Sequence, residues 1–228
     1  MNRITWAGQS HQAWDWLIND VVINPITGRD IGSKVVIVRN WLGVDEAAKL
    51  FEVVKTKVPW EQKPLMMYGK EIPQPRLQCV YGDEDLARDG KTMDYSRAKF
   101  PIKEWLPEIK AVKDRVSEQT KVRFDSSLLN CYRDGNDYVD WHPDRGYLGE
   151  YNTVAAVSLG ESREFGFRTI AEEKIVATTV VNHRDCMLMW GDTQNNYKHS
   201  VLKSSGGKKF REHQGTRVSI TFRCLYPK

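Results

Sequence analysis

The chain has 228 residues, 40% apolar and 11% aromatic, with 28% charged residues and a net charge of +4. That length and composition specify a folded globular chain, one sizeable domain with a real core or at most two small ones, and argue against a disordered chain. No apolar run approaches the length of a membrane span, and "MNRITWAGQSHQAWDW" lacks the basic-then-apolar order of an export signal.

Residues 1–34 carry no pattern that assigns them a role and are set apart from a domain spanning 35–228. In "DEAAKLFEVVKTK" (45–57), Leu50, Phe51 and Val54 recur at helical spacing behind Asp45 as the cap, which predicts a helix. Residues 58–100 are rich in Pro, Gly and charge and read as long loops or short hairpins. A second helix runs through "WLPEIKAVKDRVSEQT", where Leu106, Ile109, Val112 and Val116 make one stripe and Pro107 suits the first turn.

From residue 122 the texture changes. "SSLLNCY", "NTVAAVSLG", "EFGFRTI", "KIVATTVVN", "CMLMWGD" and "RVSITFRCLY" are short β-prone runs bounded by turn signals. The fold class expected is α+β, mainly β: a sandwich or jelly roll with N-terminal helices packed on one sheet. The cysteines Cys79, Cys131, Cys186 and Cys224 are scattered with no CxxC pair, which fits reduced thiols in an intracellular protein, nuclear or cytoplasmic and not secreted. The most basic stretch places Lys198, Lys203, Lys208, Lys209 and Arg211 around a Gly-Gly turn. Its composition suits a solvated loop better than a phosphate-binding patch.

The strand "RVSITFR" carries the most chemistry. Arg217, Ser219, Thr221 and Arg223 alternate with Val218, Ile220 and Phe222, so the four polar side chains share one face. The two arginines stand about 20 Å apart along the strand. Bent toward one another, they would grip the two ends of a small dicarboxylate, because a planar guanidinium donates two parallel bonds to a carboxylate. In "LLNCY", Asn130 and Tyr132 likewise share a face and offer neutral hydrogen bonds to the same ligand.

His142 and Asp144 in "DYVDWHPDRGY" form a His-x-Asp pair, a pattern common enough by chance to decide little alone. A third metal ligand must come from elsewhere. His183 reads as a turn residue, His213 lies in the basic loop, and His199 stands between two strands from which it can return to the site. Two histidines and a carboxylate that leave three positions open suit non-haem Fe(II); zinc more often has four ligands with one position open.

Together "LLNCYRDG", "WHPD", "VAAVSLG", "MLMWGDTQ", "KHSV" and "RVSITFR" resemble, in order and over roughly residues 35–225, the AlkB family of Fe(II)/2-oxoglutarate dioxygenases. The resemblance implies a double-stranded β-helix with Fe(II) as cofactor and 2-oxoglutarate and O₂ as cosubstrates. It implies that His142, Asp144 and His199 bind iron. Asn130, Tyr132 and Arg217 would hold the distal carboxylate of 2-oxoglutarate, Arg223 the carboxylate nearer the metal, and Ser219 would line the same face. "MMYGKEIPQPRLQCVYGD" is similar to the lid of the nucleic-acid-repairing members, within a lid of roughly residues 60–100. There Tyr68 would stack on a flipped base, with Arg76, Gln78 and Tyr81 lining the pocket or meeting phosphate. The implied activity is oxidative demethylation of N-alkylated bases in DNA or RNA, releasing formaldehyde, succinate and CO₂. The alternative is the same chemistry on a free nucleotide, a small metabolite or a protein side chain. The alternative draws on Gly146, which stands where repair members carry an acidic residue. The resemblance implies no membrane contact and leaves the oligomeric state open, a monomer being sufficient.

Overall fold

The computed structural model describes residues 5–6, 9–10, 20–23, 33–67, 70–95, 98–144, 152–203 and 215–226. The chain begins with β1 (Thr5–Trp6), β2 (Gln9–Ser10) and β3 (Asp20–Ile23), then β4 (Lys34–Val38) and α1 (Val44–Lys57). The hairpin β5 (Pro64–Met67) and β6 (Lys70–Pro73) precedes β7 (Leu77–Gly82) and α2 (Glu84–Arg88). A second hairpin, β8 (Thr92–Tyr95) and β9 (Ala98–Pro101), leads through β10 (Lys103–Glu104) to α3 (Pro107–Thr120). The β-rich remainder comprises β11 (Ser126–Tyr132), β12 (Val139–His142), β13 (Val154–Gly160), β14 (Arg163–Thr169), β15 (Ile175–Val181) and β16 (Cys186–Trp190). It closes with the one-turn α4 (Thr193–Asn196), β17 (Tyr197–Val201) and β18 (Arg217–Arg223).

Two sheets face one another in a jelly roll. The larger has the order β10-β7-β11-β18-β13-β16-β4-β3 and the smaller β12-β17-β14-β15. Among the described residues β10 and β7 run parallel and the other pairs antiparallel. Between the sheets Val35, Ile37, Val154, Met187 and Met189 of the larger pack on Val139, Phe165, Phe167, Val181 and Val201 of the smaller. The opposite face of the larger sheet is covered by α1 and α3, whose Leu50, Val54, Ile109, Val112 and Val116 join Leu129, Val157, Leu188, Ile220 and Phe222. With both faces covered, a strand such as β4 (KVVIV) is apolar from Val35 to Val38 and buried at every position.

The period-two reading of β18 fixes which face looks where. Val218, Ile220 and Phe222 enter the helix-side core, while Arg217, Ser219, Thr221 and Arg223 are also buried, on the inter-sheet side. Helix α1 is capped at Gly43, two residues before the expected cap, so Asp45 sits in its first turn. There it still faces the partial positive charge of the helix N-terminus. The segment 58–100 does contain two hairpins. It also contributes β7, a buried six-residue strand hydrogen-bonded along β11, which its Pro-rich flank had concealed. Among the described residues no helix is long and apolar enough to cross a membrane.

Candidate active site

Strand pairing assembles the site. β12 and β17 run antiparallel with His142 directly opposite His199, and the two ring centroids lie 4.5 Å apart. Asp144 follows two residues beyond, its backbone N–H donating to Oε1 of Gln194 on α4 at 2.8 Å. One ligand atom from each of His142, Asp144 and His199 lies within 4.8 Å of the others. His142 Nδ1 stands 2.7 Å from the carbonyl of Asp140, which places the ring proton there and leaves Nε2 as the lone-pair atom. His199 is sandwiched against Phe165, ring centroids 5.5 Å apart and planes 15° off parallel.

The electrostatics match a cation's requirements. Burial pushes His199 down to about 3, with neighbouring His142 acting in the same direction. Burial also lowers His142, opposed by Asp144. Burial works against the Asp144 carboxylate, but Arg223 and the two imidazoles outweigh it and hold the carboxyl below its ordinary value. Two neutral imidazoles and one carboxylate are the protonation states a metal needs. Asp144 Oδ2 is buried without a hydrogen-bond partner and stands 3.8 Å from His199 Nε2, which fits atoms that share an ion.

Beside this triad a cleft is lined by Asn130, Tyr132, Ser219, Thr221 and Arg223 with the three triad residues. Register places Asn130 opposite Ser219 and Tyr132 opposite Arg217. Arg217 is 2% exposed. It donates to Ser158 Oγ at 2.9 Å and lies over the Tyr132 ring at 5.2 Å. Its Nε and Nη1 have no partner, and among the described residues it pairs with no carboxylate. Burial pulls this guanidinium below its ordinary value. A buried cation without a counter-charge costs several kcal/mol, and an anionic ligand is what relieves it. The residues therefore fit both an Fe(II) ion and a dicarboxylate.

Arg223 does not bend toward Arg217. Its Nη2 donates instead to Asp144 Oδ1 in a buried ion pair, at the metal end of the cleft. Arg76, just before β7, and Gln78 on it reach Asn130 rather than open solvent: Arg76 Nε and Gln78 Nε2 both donate to Asn130 Oδ1, at 3.0 and 3.2 Å. Tyr81, expected at the substrate pocket, is on the wrong face. It is 2% exposed and packs with Cys79 and Leu129 in the core beneath α1 and α3. Three positions separate it from Gln78, and strand alternation sends it to the other side of the sheet. Tyr68, Gly146, His213 and the basic residues Lys208, Lys209 and Arg211 lie outside the described residues. His183 is a turn residue whose Nδ1 accepts the Gly160 N–H at 3.0 Å.

Two residues at the site carried no sequence signal. Gln194 orients Asp144. Arg163, 1% exposed on β14, donates to the carbonyls of Asp134, Asp137 and Leu202 and lies over Tyr132 at 5.6 Å, so two guanidiniums lie against that ring.

An ion-ready His-Asp-His triad beside a buried arginine between two β-sheets is the arrangement of an iron- and 2-oxoglutarate-using oxygenase. Residues 34–223 match the family described as the 2OG-Fe(II) oxygenase superfamily. The chain belongs to that superfamily, a non-haem dioxygenase that works with Fe(II), 2-oxoglutarate and O₂, and within it to the AlkB family. It is 33% identical over 204 residues to the alpha-ketoglutarate-dependent dioxygenase alkB homolog 3 of Mus musculus, covering 86% of this chain and 67% of that one. It is 30% identical over 196 residues to the DNA oxidative demethylase ALKBH2 of Mus musculus, covering 81% and 77%. The chain spans 65–67% of the length of the mouse and rat alkB homolog 3 proteins. The solved structure of OsALKBH1 superposes with a TM-score of 0.56 at 17% identity, covering 83% of this chain and 97% of that one, which shows the shared fold.

Proposed function

We propose that this chain removes alkyl groups oxidatively from N-alkylated bases in DNA or RNA. The chemistry rests on one observation, the metal-ready triad opening on a cleft lined by Tyr132, over whose ring lies the uncompensated Arg217. The substrate class draws support from similarity to a relative named a DNA oxidative demethylase.

His142, Asp144 and His199 hold the iron, Arg217, Tyr132 and Asn130 the distal carboxylate of 2-oxoglutarate, with Ser219 beside them and Arg223 at the metal end. When bound, iron with 2-oxoglutarate and O₂ supplies hydroxylation of a C–H bond, with release of succinate and CO₂. A hydroxylated N-methyl group then leaves as formaldehyde. The protein's part is to fix the cosubstrate, aim one carbon at the metal and keep water out. Phe165, Val139, Val201 and Met189 form the apolar wall that does the last. No general acid or base is required for the C–H step.

Residues 35–228 act as one dioxygenase domain in this reading, and the hairpins within residues 60–100 form the face that receives the nucleic acid. Tyr68 stacks on the extruded base, opposite the His142 ring. Four cysteines, all buried and unpaired, accord with an intracellular site of action. Gly146 and the modest net charge of +4 favour a second reading, the same chemistry on a free nucleotide, a metabolite or a protein side chain. Succinate release with Fe(II) and 2-oxoglutarate across methylated oligonucleotides, methylated nucleotides and peptides separates the two. Stimulation by oligonucleotides alone supports the first; stimulation by another class with none by oligonucleotides replaces it with the second.

A further inference from the structure

We infer that Arg76 and Gln78 are positioning residues for the cosubstrate, acting through Asn130, and not contacts to the substrate. The inference rests on the assignment of Asn130 to 2-oxoglutarate. β7 and β11 pair with Gln78 directly opposite Asn130. Arg76 Nε and Gln78 Nε2 both point at Asn130 Oδ1, at 3.0 and 3.2 Å, and so occupy both lone pairs of that oxygen.

The orientation of an asparagine amide is decided by its partners. Gln78 alone would leave it open, because a glutamine can present either oxygen or NH₂. Arginine has only donors. With Arg76 on one side, Asn130 must turn its oxygen toward β7, and Gln78 must offer its NH₂. The consequence for Gln78 is visible: its Oε1 is buried with no hydrogen-bond partner. The consequence for Asn130 is the functional one. Its Nδ2 donates to no acceptor among the described residues, and Asn130 lines the cleft. A carboxylate needs donors, and this arrangement guarantees that Asn130 presents one. Arg76 is itself anchored, 3% exposed, with Nη1 donating to the Tyr138 carbonyl at 3.3 Å.

The test is 2-oxoglutarate affinity of Mn(II)-loaded protein by calorimetry, alongside the KM for a methylated oligonucleotide. Arg76→Met and Gln78→Glu should each weaken 2-oxoglutarate about tenfold, the loss of roughly one well-placed hydrogen bond, with oligonucleotide KM changed less than twofold. Gln78→Glu, nearly isosteric, carries the test if Arg76→Met melts at a much lower temperature than wild type. In an Asn130→Ala background the Arg76 and Gln78 changes should cost no further affinity, because their effect passes through that amide. Additive losses in that background, or a raised oligonucleotide KM with 2-oxoglutarate affinity intact, would overturn the inference. An Asn130→Ala variant with wild-type 2-oxoglutarate affinity would instead refute the underlying assignment of Asn130.

Discussion

The backbone N–H of Asp144 is held by the side chain of Gln194, fifty residues along the chain, at 2.8 Å. Gln194 also donates to the Met189 sulfur at 3.7 Å, so its amide is fixed from both ends. A one-turn helix thereby sets the backbone from which the carboxylate of the candidate metal triad projects. Gln194→Leu should lower iron affinity about tenfold, the usual cost of losing an outer hydrogen bond to a metal site, with the fold retained. A metal titration of the variant measures it; unchanged affinity would mean that the loop holds Asp144 without help.

Arg217 makes a second prediction, in two parts with opposite signs. Arg217→Met should weaken 2-oxoglutarate binding by about 10–100-fold, since charge-assisted bonds contribute roughly 1.5–3 kcal/mol. The same change removes a buried cation that lacks a counter-charge, so the ligand-free variant should melt no lower than wild type. Arg217→Lys should also bind 2-oxoglutarate poorly, because an ammonium cannot reproduce the planar fork. Thermal melting with and without 2-oxoglutarate reads both parts.

Metal-free protein should lose stability as the solution is acidified. His199 is pushed by burial to about 3 against an ordinary 6.5, so between those values the unfolded chain binds a proton that the folded chain refuses. Stability therefore rises with pH in that window, by on the order of 1–2 kcal/mol between pH 5 and 6.5. His142, also lowered by burial, adds to the same slope. The lowered Asp144 carboxyl contributes stability that is lost only at more acid pH, below its ordinary 3.8. Urea denaturation of metal-stripped protein at pH 7.5 and pH 5 tests this, and His199→Leu should flatten the dependence. A wild-type stability equal at the two pH values would contradict it.

Gly160 ends β13 with φ +82°, opposite Arg217 in the sheet. A Cβ there would lie 2.2 Å from the Thr216 carbonyl oxygen and 2.7 Å from Phe51. Gly160→Ala should destabilise the protein by roughly 2–3 kcal/mol, through backbone strain and the clash together. Denaturant midpoints of the two proteins give the value, and a shift under about 0.5 kcal/mol, the scatter of a surface substitution, would refute it.

The face of β18 was legible because alternation survives even where both faces are buried; only the destination of the polar face, cleft rather than solvent, needed the second sheet. That His142, Asp144 and His199 come together was legible through motif order and the family resemblance. Tyr81 was misplaced for want of one fact, that β7 is a strand. Once Gln78 is known to pair with Asn130, the odd offset to Tyr81 sends it into the helix-side core. Gln194 and Arg163 act across fifty residues and across two carbonyl-bearing loops, and no local pattern encodes such contacts. The two-armed arginine grip failed in detail because Arg223 has a nearer carboxylate in Asp144.

The most direct test of the account is paired release of formaldehyde and succinate from an N-methylated oligonucleotide supplied with Fe(II), 2-oxoglutarate and O₂. The account predicts equal amounts of the two products from wild type, and neither from His142→Ala, Asp144→Ala or His199→Ala variants that remain folded. Formaldehyde from a folded His199→Ala variant at the wild-type rate would contradict the metal site. Succinate without formaldehyde from any oligonucleotide, matched by brisk turnover of a small molecule, would contradict the substrate.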